Sequence, residues 1–520
     1  MSDEESRKIP RCARHDKFNL LSHYPMNLFL PCRTNSLLSS FQSLHGDIEM
    51  YQSKKARYPK CLFLGVVLAI GHGCVDQQTP WERMQKTGQL RFATIDSPYT
   101  CYRTPAGFAG IECDLARRFA HETGVELTLI MARNPREALL MVAQDRADIS
   151  GAGLLGSVMQ DNLGFGPAWY HAPLQLVYRG GTERPKNIES LGKHGILVMP
   201  DQVELLRHDY PQVRWRVAHD QNMGTLLRMV QEGSISATVA DAHQFNIYRH
   251  LYPELRVAFA LTGPQPVSWV YRHDEALDSR VAAFIRECSE NGELARLLEQ
   301  YFGHVDTFEF NDASTFLTMT GERLPGYQQL FRDTASRYGM DWTLLAAMSY
   351  QESHWFPNAR SPTGVRGLMM LTQDTAGDLE IGDRVDPRQS VDGGARYFRD
   401  LLDKIPERIT DPDRTWLALA AYNIGFQHLE DARILTQKLG GDPDVWQDIR
   451  KFLPLLSENK WHVQMEYGRA RGGEAVRYVE NIRRYQDILR WMHAGEERNK
   501  HERRDWMDWV ALAPVNLDAM

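Results

Sequence analysis

A single carboxyl at position 352 has the setting that acid catalysis needs. Residues 341–353 read DWTLLAAMSYQES, a helix with Asp341 as its N-cap. Leu345, Met348 and Glu352 fall at i, i+3 and i+7, on one apolar helical face. A carboxyl on such a face loses hydration, and its pKa rises. An acid that keeps its proton near neutral pH is what cleavage of a glycosidic bond requires. A helix-terminal glutamate turned to solvent has the same spacing, so position alone does not decide between the two. Glycosidases ordinarily flank the bond with two carboxylates. Here Asp374 and Asp378 lie on a helix with a solvated pattern, and no second acid shares a motif with Glu352. One acid without a base to activate water suits an intramolecular reaction.

Four further segments follow Glu352-Ser353 in order. They are Asn358-Ala359-Arg360-Ser361, Gly364-Val365-Arg366-Gly367-Leu368-Met369-Met370, Ala420-Ala421-Tyr422-Asn423-Ile424-Gly425 and Glu474-Ala475-Val476-Arg477-Tyr478-Val479. With Glu352 they resemble the soluble lytic transglycosylase family over about residues 326–495. The resemblance implies a mainly α, lysozyme-like domain that acts on peptidoglycan glycan strands without a cofactor or metal. It makes Glu352 the lone catalytic acid and base, and it places Ser361 in the substrate groove. Tyr422 and Asn423 match the family's AYN motif, with the tyrosine lining the site. Glu474 and Tyr478 match a late E-x-x-x-Y pair, whose tyrosine sits near the acid. Met370 stands where the family usually has glutamine, which removes a polar contact from a substrate subsite. On local chemistry alone, Ser361 also reads as a loop-capping hydroxyl and Tyr422 as a packed aromatic.

The implied reaction starts with Glu352 protonating the oxygen between N-acetylmuramic acid and N-acetylglucosamine. The sugar's acetamido group steadies the cationic centre. Glu352 then takes the C6 hydroxyl proton, and a 1,6-anhydro ring closes. Proximity lets that hydroxyl outcompete water. Two other readings use the same residues. A goose-type lysozyme-like hydrolase would put water at the sugar, and a non-enzymatic peptidoglycan sensor would only hold glycan.

The elements around these residues fall into two kinds. After Pro325 helices dominate, predicted over 328–338, 342–352, 372–377, 391–405, 414–424, 429–439, 446–455 and 475–492. Before residue 302, short apolar strands are predicted at 90–95, 126–132, 148–153, 174–178, 195–199, 215–218, 237–240, 256–261 and 267–271. Helices at 110–123, 135–144, 222–232 and 275–301 alternate with them. Alternation of this kind argues for parallel α/β sheets. The order Gly107-Phe108-Ala109-Gly110-Ile111-Glu112-Cys113-Asp114, then Gln144-Asp145-Arg146-Ala147-Asp148-Ile149, then Pro167-Ala168-Trp169-Tyr170 resembles family 3 periplasmic solute-binding proteins. The resemblance implies a two-lobed periplasmic-binding-protein-like module over 86–303. It also implies a cleft for muropeptides or small peptides, with Asp241 as the acid that meets a ligand's amino group; on local chemistry alone Asp241 also reads as a solvated loop acid. The arginine expected shortly after Asp148 to clasp a carboxylate is missing from GLLGSVMQD at 153–161. The fold class is therefore multidomain, the α/β module first and the lysozyme-like domain second, with residues 304–325 as the linker and 496–520 as a charged tail.

Composition bounds the rest. The 520 residues, 43% hydrophobic and 24% charged, are too many for one core and too ordinary for a disordered chain. The net charge of −7 gives no footprint for nucleic acid. A mean hydropathy of −0.45 excludes a polytopic membrane protein. No cysteines show CxxC spacing, and no HExxH or EF-hand pattern occurs. Residues 61–71 read CLFLGVVLAIG behind Lys54, Lys55, Arg57 and Lys60, the pattern of a secretory signal. The signal is expected over 50–74, starting at Met50, with 1–49 an over-extended N-terminus. Gly71-His72-Gly73-Cys74 resembles a lipoprotein cleavage box, which implies a periplasmic chain attached to the outer membrane. Cys101, Cys113 and Cys288 remain after such cleavage, enough for one disulfide.

Overall fold

The computed structural model describes residues 78–512, apart from 105–106, 156–161, 192–194, 304–309 and 363. The expected signal and lipid-attachment residues, 50–74, lie outside the described residues. Among the described residues no helix is long and apolar enough to cross a membrane.

The N-terminal module is built on ten strands: β1 (Gln89–Ile95), β2 (Tyr102–Thr104), β3 (Gly107–Ala109), β4 (Glu126–Ala132), β5 (Ile149–Ser150), β6 (Leu163–Arg179), β7 (Ile196–Val198), β8 (Trp215–Val217), β9 (Ala237–Asp241) and β10 (Leu255–Arg272). Eight of them form one sheet in the order β4-β1-β5-β10-β6-β9-β7-β8. The outer pairings β1/β4, β1/β5, β7/β8 and β7/β9 are parallel, as the strand–helix alternation predicts. Between those halves run the long antiparallel strands β6 and β10. The sequence reading breaks these into three short strands because Pro167, Pro173, Pro264 and Pro266 interrupt them. Proline lacks a ladder donor and is tolerated at irregularities. The β6/β10 register shifts between Ala260 and Pro264, where the chain absorbs that loss.

Two further expectations are corrected. The helix expected over 275–301 is two, Glu275–Glu290 and Glu293–Phe302, broken at Gly292 with φ +78. The expected linker contains the helix Phe310–Glu322. Its Phe316 is fully buried against Tyr350, Trp355 and Tyr485, inside the helical domain's core. Polar Thr and Asp residues hid the apolar spacing of Ala313, Phe316 and Leu317.

β2 and β3 form a hairpin tied to the following helix, Ile111–Thr123, by the disulfide Cys101–Cys113, while Cys288 is free and buried. A loop this short constrains the unfolded chain by about 3 kcal/mol. The double variant C101S/C113S is expected to lower the thermal midpoint accordingly, and reductant is expected to do the same to the native chain.

The helical domain meets this module along the C-terminal helix Gly472–Leu512. Arg483 lies 4.0 Å over the Trp416 ring and donates to Gln300 O at 2.8 Å and to Glu299 O at 3.3 Å. Those carbonyls end the helix Glu293–Phe302, where a cation is well placed. Arg450 bridges Glu299 and Glu480 at 2.6 and 3.3 Å.

Candidate active site

The helix Trp342–Ser353 runs through the centre of the second core. Asp341 caps it by accepting from Thr343 N at 2.9 Å, and Arg490 of the C-terminal helix pairs with the same carboxylate at 2.8 Å. Burial alone would raise the Asp341 pKa, but Arg490 and the Thr343 bonds outweigh it and leave the carboxyl lowered. Every residue from Trp342 to Tyr350 is buried, so the helix has no single apolar stripe. Glu352 sits in its last turn, where exposure begins. The helix stops directly after, because His354 and Trp355 both take left-handed φ values of 51° and 56°. Trp355 is locked there by donating from Nε1 to Ala346 O at 2.9 Å.

Beside Glu352 lies Tyr478, brought by the C-terminal helix. Its hydroxyl donates to Glu352 Oε1 at 2.6 Å. Burial pushes the Glu352 carboxyl up to about 7, and the Tyr478 bond restrains that rise. No other carboxylate contributes to the shift among the described residues. The Tyr478 ring stacks on Tyr422 at 6.5 Å and 11°, and Tyr422 packs on Tyr397 at 5.3 Å. The sequence reading missed Tyr397, which lies in no recognisable motif.

A strap over residues 359–371 closes beside this row. Ser349 and Ser353 both donate to Leu368 O, at 3.1 and 2.9 Å, and Tyr422 donates to Met369 O at 3.1 Å. Ser390 accepts from Met369 N at 3.2 Å. Arg384 donates to Leu371 O at 2.9 Å and to Gly364 O at 3.2 Å. Met370 is half-buried with φ 47 at the tip of the turn. The Ser361 hydroxyl accepts from Val365 N at 3.3 Å, the loop-capping geometry.

The structure thus brings together Glu352, Tyr478, Tyr422 and the Met370 turn. Asn423 is exposed, one residue past Tyr422. Glu474 is half exposed and pairs with Arg471 at 3.2 Å, one turn before Tyr478 on the surface. Asp241 lies in the other module, where it caps the helix Ala242–Tyr248 by accepting from His243 N and Gln244 N at 2.9 Å each. It is buried rather than solvated, and burial pushes it up to about 7. The large cavity at the junction of the two parts, 440 Å³, is lined by Tyr102, Tyr301, Asp341, Trp416 and Arg490 and does not include Glu352. Glu352 lies apart from that cavity, against Tyr478.

Removing the Tyr478 hydroxyl has a definite sign. Its bond favours the charged carboxylate, so Y478F raises the Glu352 pKa further and moves the alkaline limb of the pH–rate profile upward. Loss of a bond to a charged group, about 1.5–3 kcal/mol, lowers activity by at least about tenfold. A profile left in place would show that the contact is not functional.

The two-part architecture and this lone acid define a class: a solute-binding module ahead of a transglycosylase domain. Residues 90–304 match the bacterial extracellular solute-binding proteins, family 3, and residues 329–444 match the transglycosylase SLT domain. Proteins named membrane-bound lytic murein transglycosylase F are similar over most of their length. That of Hahella chejuensis is 40% identical over 425 residues, 80% of this chain and 84% of its own. That of Ectopseudomonas mendocina is 41% identical over 442 residues, 83% and 90%. That of Erwinia tasmaniensis is 43% identical over 413 residues, 78% and 83%. The chain belongs to the membrane-bound lytic murein transglycosylase F family. Among solved structures, a mutant of ArgBP from T. maritima covers 43% of this chain and all of its own, with 18% identity and a TM-score of 0.39.

Proposed function

We propose that the chain cleaves the β-1,4 bond between N-acetylmuramic acid and N-acetylglucosamine in peptidoglycan, with Glu352 as its only acid and base. The observation that carries this reading is one half-buried carboxyl raised to about 7, bonded to one tyrosine, with no second carboxylate acting on it among the described residues. Protonated Glu352 gives its proton to the bridging oxygen as the C1–O4 bond breaks. The acetamido oxygen of the muramic acid residue bonds to C1 in its place. The Glu352 carboxylate, now steadied by the Tyr478 hydroxyl, takes the proton of the C6 hydroxyl. O6 then displaces the acetamido oxygen at C1, and the 1,6-anhydro ring closes with the enzyme back in its starting protonation state. Water enters at no step. A fixed internal hydroxyl competes through effective molarity.

Tyr422, Met370 and Asn423 are assigned to glycan contacts. Ser361 is assigned to shaping the strap, through its bond to Val365. Glu474 is assigned to the rim. The α/β module is assigned a small peptide or muropeptide ligand, with Asp241 facing its amino group. The chain is assigned to the periplasm, exported by a signal over 50–74 and attached to the outer membrane either peripherally or through a lipid on Cys74. The Cys101–Cys113 disulfide supports an oxidising compartment.

Digestion of purified sacculi tests the reaction. Mass spectrometry is expected to find muropeptides ending in anhydro sugars, each lighter by one water than a hydrolytic product. Reducing ends alone would assign the chain to hydrolysis.

A further inference from the structure

The cleft of the α/β module holds little free space, and Phe302 of the same chain is among the residues that line it. The helix Glu293–Phe302 ends there, and Phe302 stacks on His243 at 4.9 Å and 25°, with Tyr170 at 6.3 Å. Tyr170 and His243 lie 4.1 Å apart, so the three rings form one cluster. Tyr99 and Gly153 reach the cleft from one half of the sheet, and Asp241 and Gln244 from the other. The space left is 20 Å³, about one water molecule.

The wall is largely apolar, with a few polar groups set into it. Trp169 Nε1 and Gln244 Oε1 have no hydrogen-bond partner among the described residues, although the two side chains are only 5% and 6% exposed. Buried polar atoms are ordinarily paired, and leaving this donor and this acceptor unmet costs stability. A phenyl ring supplies neither group, whereas an amide supplies both.

Phe302 is held from outside the cleft. Arg483 binds the carbonyls of Glu299 and Gln300, and the Tyr301 hydroxyl accepts from Gly110 N at 3.1 Å and donates to Asp114. The residues just before Phe302 are therefore anchored on both sides, which fixes where its ring lies.

We propose that Phe302 is an intramolecular occupant of this cleft, standing in for a ligand that carries a flat apolar group and an amide, and that such a ligand binds only by expelling it. The proposal is independent of the chemistry at Glu352.

Phenylacetamide, a ring with one amide, is the probe. Its binding to the full chain is measured by calorimetry for the native protein, F302A and F302L, each first shown to be folded by thermal unfolding. F302A is expected to bind at least about tenfold more tightly than the native chain, and F302L to fall between them because it leaves part of the space filled. Adding W169F to F302A is expected to weaken binding by removing the Nε1 donor. If F302A does not fold, F302L against the native chain decides. Equal affinity in the native and Phe302-substituted chains, including no binding in any of them, overturns the proposal. So does binding to F302A that W169F leaves unchanged.

Discussion

E352Q is expected to lose about 10³–10⁴-fold in the rate of anhydro-product release while remaining folded. The amide keeps the size of the carboxyl and accepts the Tyr478 hydrogen bond, but it has no proton to give and takes none back. Among the described residues no second carboxylate acts on Glu352. Stability should move the other way. The folded-state pKa of Glu352 is about 7, above the usual value of 4.5. Below pH 4.5 both states are protonated, and the substitution changes little. As pH rises the unfolded chain loses its proton first, so native stability falls between 4.5 and about 7. At pH 8, E352Q should therefore be more stable than the native chain by about 1–2 kcal/mol, discounted for the partial exposure of the group. Denaturant titrations at pH 4.5 and 8 measure this. A difference between variant and native chain that is the same at both pH values would show that Glu352 titrates normally.

G367A is expected to cost about 4 kcal/mol and to abolish activity with it. Gly367 has φ +87, and a Cβ there would lie 1.8 Å from Arg384 O and 2.6 Å from the Ser390 hydroxyl. Arg384 and Ser390 hold the strap, so the clash would pull Leu368 and Met369 away from Ser353 and Tyr422. G364A is the internal comparison. Gly364 has nearly the same φ, +86, but nothing within 4 Å of its Cβ position. It should cost only about 1 kcal/mol from the backbone alone. Chemical denaturation of both variants separates the two effects, and equal losses would refute a steric role for Arg384 O.

Much of this was legible in the residues. Asp341 as a cap and Glu352 eleven residues later fixed the key helix, because capping and apolar spacing are local properties. The parallel strands β1, β4 and β7–β9 were readable for the same reason. What failed depended on distant partners. Pro264 and Pro266 look like strand breakers until β6 is seen beside them with a shifted register. Phe316 looks like part of a linker until Tyr350 and Tyr485 enclose it. Asp241 reads equally as a ligand's partner or a solvated loop acid, and only packing shows it buried as the cap of the helix Ala242–Tyr248. Within the site, Tyr478 and Glu352 are 126 residues apart, and the 2.6 Å bond between them is a product of packing. Glu474 shares a motif with Tyr478, yet one helical turn puts it on the surface beside Arg471.

The most direct measurement is the titration of one carboxyl. Protein carrying ¹³C-labelled glutamate side chains, recorded against E352Q, isolates the Glu352 signal by difference across the pH range. A midpoint near 7, shifting upward in Y478F, is the predicted result. A midpoint near 4.5 would leave the group ionised at neutral pH with no proton to donate, and would contradict the account.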